Sequence, residues 1–282
     1  MNLTRSKKKD LLYVAVAAFF FLTACVLQTV DDYISDWSVK TTIALLTQYI
    51  FFGLLAYWTA SVISRISDKS ICSGIIVAIA LMGGILFVRL LKYHVFYDGT
   101  VMRYLWYSYY IPHCLAPAVL LITLLGMGRK DGKPLAKGWY LLFLPAAALI
   151  LLVFTNDLHE QVFSFAKGLK YSNEIYKWEW GYYFILSWIA VLYLSIGVLL
   201  YIKCRVSGCR KKAWIPLVLF IVCIVLCVLR EVFDPVFIRM PEAVVFSVVV
   251  VFESLIRIGF IPSNVNHEEL FYVADVSAGI AD

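Results

Sequence analysis

Charged side chains make up only 16% of this 282-residue chain, and histidine occurs four times. No P-loop, glycine-rich dinucleotide fingerprint, GxSxG elbow or EF-hand loop is present, so the usual sequence signs of ATP, dinucleotide, acyl-transfer and calcium chemistry are missing. The seven cysteines are Cys25, Cys72, Cys114, Cys204, Cys209, Cys223 and Cys227, and none falls in an expected outer loop, so no disulfide framework is implied. Cys204 and Cys209 share a basic loop with no histidine or acid beside them, which leaves a zinc site short of ligands. Cys223 and Cys227 are one helical turn apart and suit helix packing. There is no internal repeat, and no inverted pair of broken helices of the kind that marks many secondary transporters.

What the chain has in quantity is apolar surface. Hydrophobic residues account for 62% of it, and the mean hydropathy is +0.83. One globular core of this length cannot bury so much, so the excess faces lipid. Roughly 20 helical residues cross a hydrocarbon core about 30 Å thick. Eight stretches approach that length: 11–29, 40–63, 72–92, 104–126, 138–156, 181–202, 213–230 and 242–259. The expected fold class is all-α, a polytopic transmembrane bundle of eight spans. The opening TRSKKKD leads into an apolar run too long for a signal h-region and lacking an A-x-A cleavage site, so it reads as a retained span.

Lysine and arginine orient the bundle, because basic loops stay cytoplasmic. Sixteen of the twenty-five fall on one side, in the amino-terminal tail, SRISDKS, GRKDGKPLAKG, KCRVSGCRKK and Arg257. Both termini are therefore expected in the cytoplasm. The net charge of +6 reflects this bias and an attraction to anionic lipid heads, and gives no argument for nucleic acid. Outer segments such as TVDDYISDWS and EVFDPVFIRMPE would roof any pocket open to the outside. Gly74 with Ala78, and Ala80 with Gly84, form small-xxx-small pairs that place the third span centrally. Pro112, Pro117 and Pro145 favour kinks. Most tryptophans sit near span ends as interfacial anchors, but Trp188 lies about two turns inside the sixth span. It either packs in the bundle or lines a cavity with Tyr109, Tyr110, Tyr182 and Tyr183.

The polar cluster Thr155, Asn156, Asp157 and His159 ends the fifth span. Two readings are open. Asp157 and Glu160 have capping-box spacing, which would start a short interfacial helix through LHEQVFSFA. Alternatively Asn156, Asp157 and His159 floor an outer ligand pocket, joined by Arg89, Lys92, Arg103 and Trp188. No metal is expected, since Asp157 and His159 do not share a helix face and only His94 and Asp98 could complete a shell. His267 in NVNHEELF resembles a phosphoacceptor histidine without the proline and basic residue that follow one. Glu253 and Arg257, an acid-first i,i+4 pair, neutralise each other near the inner end of the last span.

The segments RYLWYSYYIP (103–112), FTNDLHEQVF (154–163), GYYFILSW (181–188) and FESLIRIGFIPSN followed by EELF resemble the N-terminal seven-transmembrane sensor region of bacterial histidine kinases. That resemblance implies a receptor module for an unidentified small-molecule or envelope stimulus, coupled through its last helix to a cytoplasmic kinase. The family's seven spans would match the second to eighth here. The expected organisation is 1–39 as basic tail, first span and first outer loop, 40–260 as the sensor region, and 261–282 as a cytoplasmic linker stub. Leu270, Val273, Ser277 and Ile280 follow three-four-three spacing compatible with the first turns of a linker helix. No catalytic residue is carried over, because the family's chemistry lies in domains that would follow Asp282. The expectation is a multi-pass sensor of the bacterial cytoplasmic membrane, with no cofactor and no enzymatic activity of its own. Its partners would be the lipid bilayer, a histidine kinase or missing kinase domain, and a second copy of the chain. Ligand recognition falls to Arg89, Arg103, Asn156, Asp157, His159 and Trp188, and signal output to Glu253 and Arg257. A small transporter or channel is the alternative.

Overall fold

The computed structural model describes residues 2–66, 68–126, 135–165, 176–203, 239–259 and 261, with helical positions at 214, 215, 218, 219, 221, 222 and 225. Apart from those positions and Ile261, the expected seventh span and the cytoplasmic stub lie outside the described residues, as do Cys204, Cys209, Cys223, Cys227 and His267.

Aspartates start three of the long helices by accepting amide protons that the first turn would otherwise leave unpaired. Asp36 accepts from the Val39 amide at 3.0 Å and opens α2, Trp37–Arg65. Asp68 accepts from Ser70 at 2.8 Å and Ile71 at 3.2 Å and opens α3, Lys69–His94. Asp98 does the same for α4, Gly99–Ser108. Before them runs α1, Asn2–Tyr33, and after them α5, Tyr110–Gly126. The fourth expected span is thus broken at Tyr109. Pro112 lacks an amide hydrogen and its ring crowds the carbonyl four residues back, which is Ser108, the last residue of α4.

A 3-10 turn over Lys137–Leu142 leads into α6, Phe143–Phe154. Then follow α7, Asn156–His159, α8, Trp180–Lys203, and α9, Met240–Ile258, which Gly259 ends in the left-handed region at φ 87°. The chain is mostly helical. Six helical segments among the described residues are long and apolar enough to cross a membrane: Leu12–Tyr33, Trp37–Arg65, Lys69–His94, Gly99–Gly126, Lys137–Phe154 and Trp180–Ile202. The 19 residues of α9 carry Glu242, Glu253 and Arg257, and this helix is not among those six.

The stretch after His159 departs from the expected helix. Glu160 adopts left-handed geometry, φ 49° and ψ 32°, and stops α7 after one turn. The chain then forms β1, Phe163–Phe165, which pairs antiparallel with β2, Tyr176–Trp178, so an otherwise helical molecule carries a small hairpin. The ends of α1, α3 and α6 and the starts of α2, α4 and α8 follow from the connections as one hairpin end of the bundle.

Packing centres on α3, which touches α2, α4, α5 and α9. Its buried stripe, Ile71, Ile75, Ala78, Ile79, Met82, Ile85 and Leu86, repeats at helical spacing. A methyl at Gly74 would collide with the Thr123 side chain of α5, so the two helices cross at the distance a glycine permits. By contrast α1 buries one narrow stripe, Ala24, Cys25, Gln28 and Asp31, and leaves Phe19, Leu22 and Val26 exposed on its other face. Phe21 of α1 meets Phe51 of α2 and Phe246 of α9 edge to face, and the latter two rings meet at a tilt, which joins the three helices.

Candidate functional site

Three polar clusters occupy the bundle, and they divide the residues that the sequence nominates together. The first secures the hairpin. Asn156 is fully buried, and its side-chain oxygen accepts the amides of Val162 at 2.9 Å and Phe163 at 3.0 Å. Its amide nitrogen donates to the Phe163 carbonyl at 2.9 Å and to the Tyr107 hydroxyl at 3.2 Å. Two donors and two acceptors are all this side chain has, so none remains for a ligand. Tyr107 in turn donates to Asp157 at 2.8 Å, and Arg103 pairs with Asp157 at 2.7 Å.

His159 is equally committed. Its Nδ1 accepts from the Gln161 amide at 3.0 Å, which places the proton of the neutral ring on Nε2. Nε2 then donates to Thr155 Oγ1 at 3.2 Å, while that hydroxyl donates to the Leu151 carbonyl at 2.7 Å. These side chains draw the amides of 161–163 away from a helical path, which is why the capping-box expectation for LHEQVFSFA gives way to a strand. Aromatic rings then lock β1 down. The Trp106 ring centre lies 4.5 Å from Phe163 and 4.9 Å from Tyr176. Gly181 lets α8 approach, since a Cβ there would lie 2.8 Å from the Gln161 carbonyl oxygen. Trp188 packs against both cores and donates to the Cys114 carbonyl at 3.2 Å.

Arg89 is elsewhere. It forms an ion pair with Glu242 of α9 in which both side chains are almost wholly buried. Gln48 of α2 donates to the same carboxylate at 2.8 Å. Lys92, one turn along α3, is also buried, and its ammonium lies 5.1 Å from the Tyr93 ring centre. Toward the hairpin end, Arg239 reaches Asp31 at 2.8 Å and Asp32 at 3.1 Å, and its amide donates to Gln28 Oε1 at 3.3 Å. Burial alone would lower the Arg239 pKa, but the hydrogen bond to Asp31 and the charges of Asp32 and Asp31 raise it, so the guanidinium is firmly charged. Between these residues lies a cavity of about 290 Å³ walled by α1, α2, α3 and Arg239.

The third cluster is at the opposite end. Glu253 takes both nitrogens of Arg65, at 2.9 and 2.7 Å, the Trp58 indole at 3.0 Å and the Arg257 Nε at 2.7 Å. The i,i+4 pair read from the sequence is present, and Arg65 and Trp58 of α2 are added to it.

Of the residues nominated for a ligand pocket, the structure brings together Arg103, Asn156 and Asp157 as a scaffold, with His159 in the adjoining turn. It separates Arg89 and Trp188 from them. Sequence reasoning missed Gln28, Asp31, Gln48, Arg239 and Glu242. The signal available was isolated polarity: Gln28 and Asp31 share a helix face near the end of an apolar run, and Gln48 interrupts another. Among the described residues no three of His, Cys, Asp and Glu gather as a metal site would need. Comparison with protein-family models, curated proteins and solved structures found no match to this chain.

Proposed function

We propose that the chain is a membrane-embedded sensor subunit of a two-component-type signalling system, working through a kinase that is not part of the residues 1–282. In this reading eight spans cross the bacterial cytoplasmic membrane, the hairpin end faces outward, and both termini are cytoplasmic. The observation that carries it is the placement of α9. Its start is tied into the polar cavity, with Arg239 on Asp31 and Glu242 on Arg89 and Gln48. Its far end is tied to α2 through Glu253, Arg65 and Trp58. A helix of 19 residues is a rod of about 28 Å at 1.5 Å per residue. In this reading a stimulus that loosened one set of ties would act on the other through this rod, as a switch requires.

The test uses the full chain in native membranes with a photocrosslinker at Ile258. Capture of a histidine kinase whose autophosphorylation changes with Glu253→Gln supports the proposal. Capture of no kinase, together with solute uptake by the purified chain in proteoliposomes, refutes it. That second outcome is the transporter reading, which has its own support. Gln48 lies near the middle of the 29-residue α2, so the Gln48, Glu242 and Arg89 cluster puts buried charge deep in the bundle, where translocation sites are built.

A further inference from the structure

Opposite charges line the mouth of the cavity between α1, α2 and α3. Lys40, on the first turn of α2, lines it without an ion-pair partner among the described residues. Asp31, on the last turn of α1, gives one carboxylate oxygen to Arg239, and its other oxygen, Oδ1, has no hydrogen-bond partner. Two amides lie deeper. Gln28 Nε2 and Gln48 Oε1 are likewise unpartnered, although both side chains are more than nine-tenths buried, as Asp31 is. The rings of Trp37, Tyr93 and His94 and the Arg89 side chain that pairs with Glu242 also line the wall. Lys40, Ala44 and Gln48 stand at i, i+4 and i+8 on one stripe of α2, so the cavity runs about 12 Å along the helix from the Lys40 mouth to the Gln48 floor.

Buried polar atoms left without partners are destabilising unless something completes them. A simple anion would leave the Asp31 and Gln48 oxygens unanswered. A simple cation would meet the Lys40 ammonium. A solute carrying both charged groups on one carbon answers each, with its carboxylate on Lys40 and its ammonium on Asp31 Oδ1. A polar side chain would then extend down to the donor of Gln28 and the acceptor of Gln48. We infer that this cavity is a binding site for a small α-amino-acid-type zwitterion with an uncharged polar side chain. The volume of about 290 Å³ suits a solute of that size. This deepens the sensor reading by supplying its stimulus, but the binding site itself stands on the cavity.

The experiment is binding to the purified full chain in nanodiscs, followed by the fluorescence of Trp37 and by calorimetry. The probes are the individual L-α-amino acids with uncharged polar side chains, ethanolamine as the ammonium alone, lactate as the carboxylate alone, and glucose as a neutral polyol. Saturable binding of at least one amino acid is expected, with roughly ten-fold or greater weakening by Lys40→Met, since a charge-assisted contact is lost. Lys40 has no ion-pair partner to orphan among the described residues, so that variant is expected to fold, and an unchanged thermal midpoint verifies this. No amino-acid binding, stronger binding of ethanolamine, lactate or glucose, or an affinity indifferent to Lys40→Met each overturns the inference. The sensor reading fails separately: an amino acid that binds through Lys40 but leaves kinase activity unchanged removes the receptor and keeps the site, whereas kinase regulation indifferent to Lys40→Met does the reverse.

Discussion

Replacing Asn156 with alanine should unfasten the hairpin from the helices. The side chain holds three buried backbone groups, the amides of Val162 and Phe163 and the carbonyl of Phe163. Each buried backbone group left unpaired costs about 1–3 kcal/mol. Three of them set a ceiling of about 9 kcal/mol, which local relaxation reduces. That relaxation is limited, because Phe163 is fully buried and pressed between Trp106 and Tyr182. We therefore expect a loss of about 3–5 kcal/mol, at the upper end for a single substitution. Thermal denaturation in detergent, read by near-ultraviolet circular dichroism of the aromatic cluster, measures it. Asn156→Asp keeps the oxygen that serves both amides and loses the donors to the Phe163 carbonyl and the Tyr107 hydroxyl, so it should fall between wild type and alanine. Its deficit should shrink as the pH is lowered and a protonated carboxyl regains a donor. An alanine variant within about 1 kcal/mol of wild type would refute the assignment of Asn156 as a structural fastener.

Arg89→Met takes the ion-pair partner from the buried Glu242 carboxylate while Gln48 stays bonded to it, and should destabilise the bundle by about 3–5 kcal/mol, while Arg89→Met with Glu242→Met recovers most of it; a double variant no better than the single one contradicts this in a thermal-shift series. Gly74→Ala should lower stability by about 1–3 kcal/mol by forcing α3 from α5, and Thr123→Ala should restore part of the loss. If Thr123→Ala gives no rescue by the same assay, the crossing is not where the strain lies. Arg65→Met removes two charge-assisted hydrogen bonds from the partly buried Glu253 and should raise maleimide labelling of a cysteine introduced at Ile258 several-fold, provided that the far end of α9 is held by that contact.

The spans were legible because their signal is length, a property of contiguous sequence. The expected 72–92 and 181–202 lie inside α3 and α8, and 104–126 contains the break that Pro112 announces. The hairpin was not legible, since Asp157 and Glu160 carry capping spacing, and the competing capture of the 162 and 163 amides needs Tyr107 to orient Asn156 from 49 positions away. The cavity was hidden for the same reason. Gln48 and Glu242 meet across 194 positions, and Arg65 and Glu253 across 188. Arg103, Asn156 and Asp157 stand out in the sequence as polar groups at span ends. Their chemistry alone could not tell a fastener from a receptor surface, because that depends on whether their donors and acceptors are already occupied.

The thin contact stripe of α1 carries a consequence for the direction of approach. Gln28 and Asp31 belong to that helix, and they form the only wall of the cavity that α1 supplies. A bundle beginning at α2 would have a window there onto the acyl chains and would receive amphiphiles drifting sideways through the leaflet. With the first helix in place that side is covered by Gln28 and Asp31, which leaves the Lys40 end as the approach that the proposed zwitterion would use.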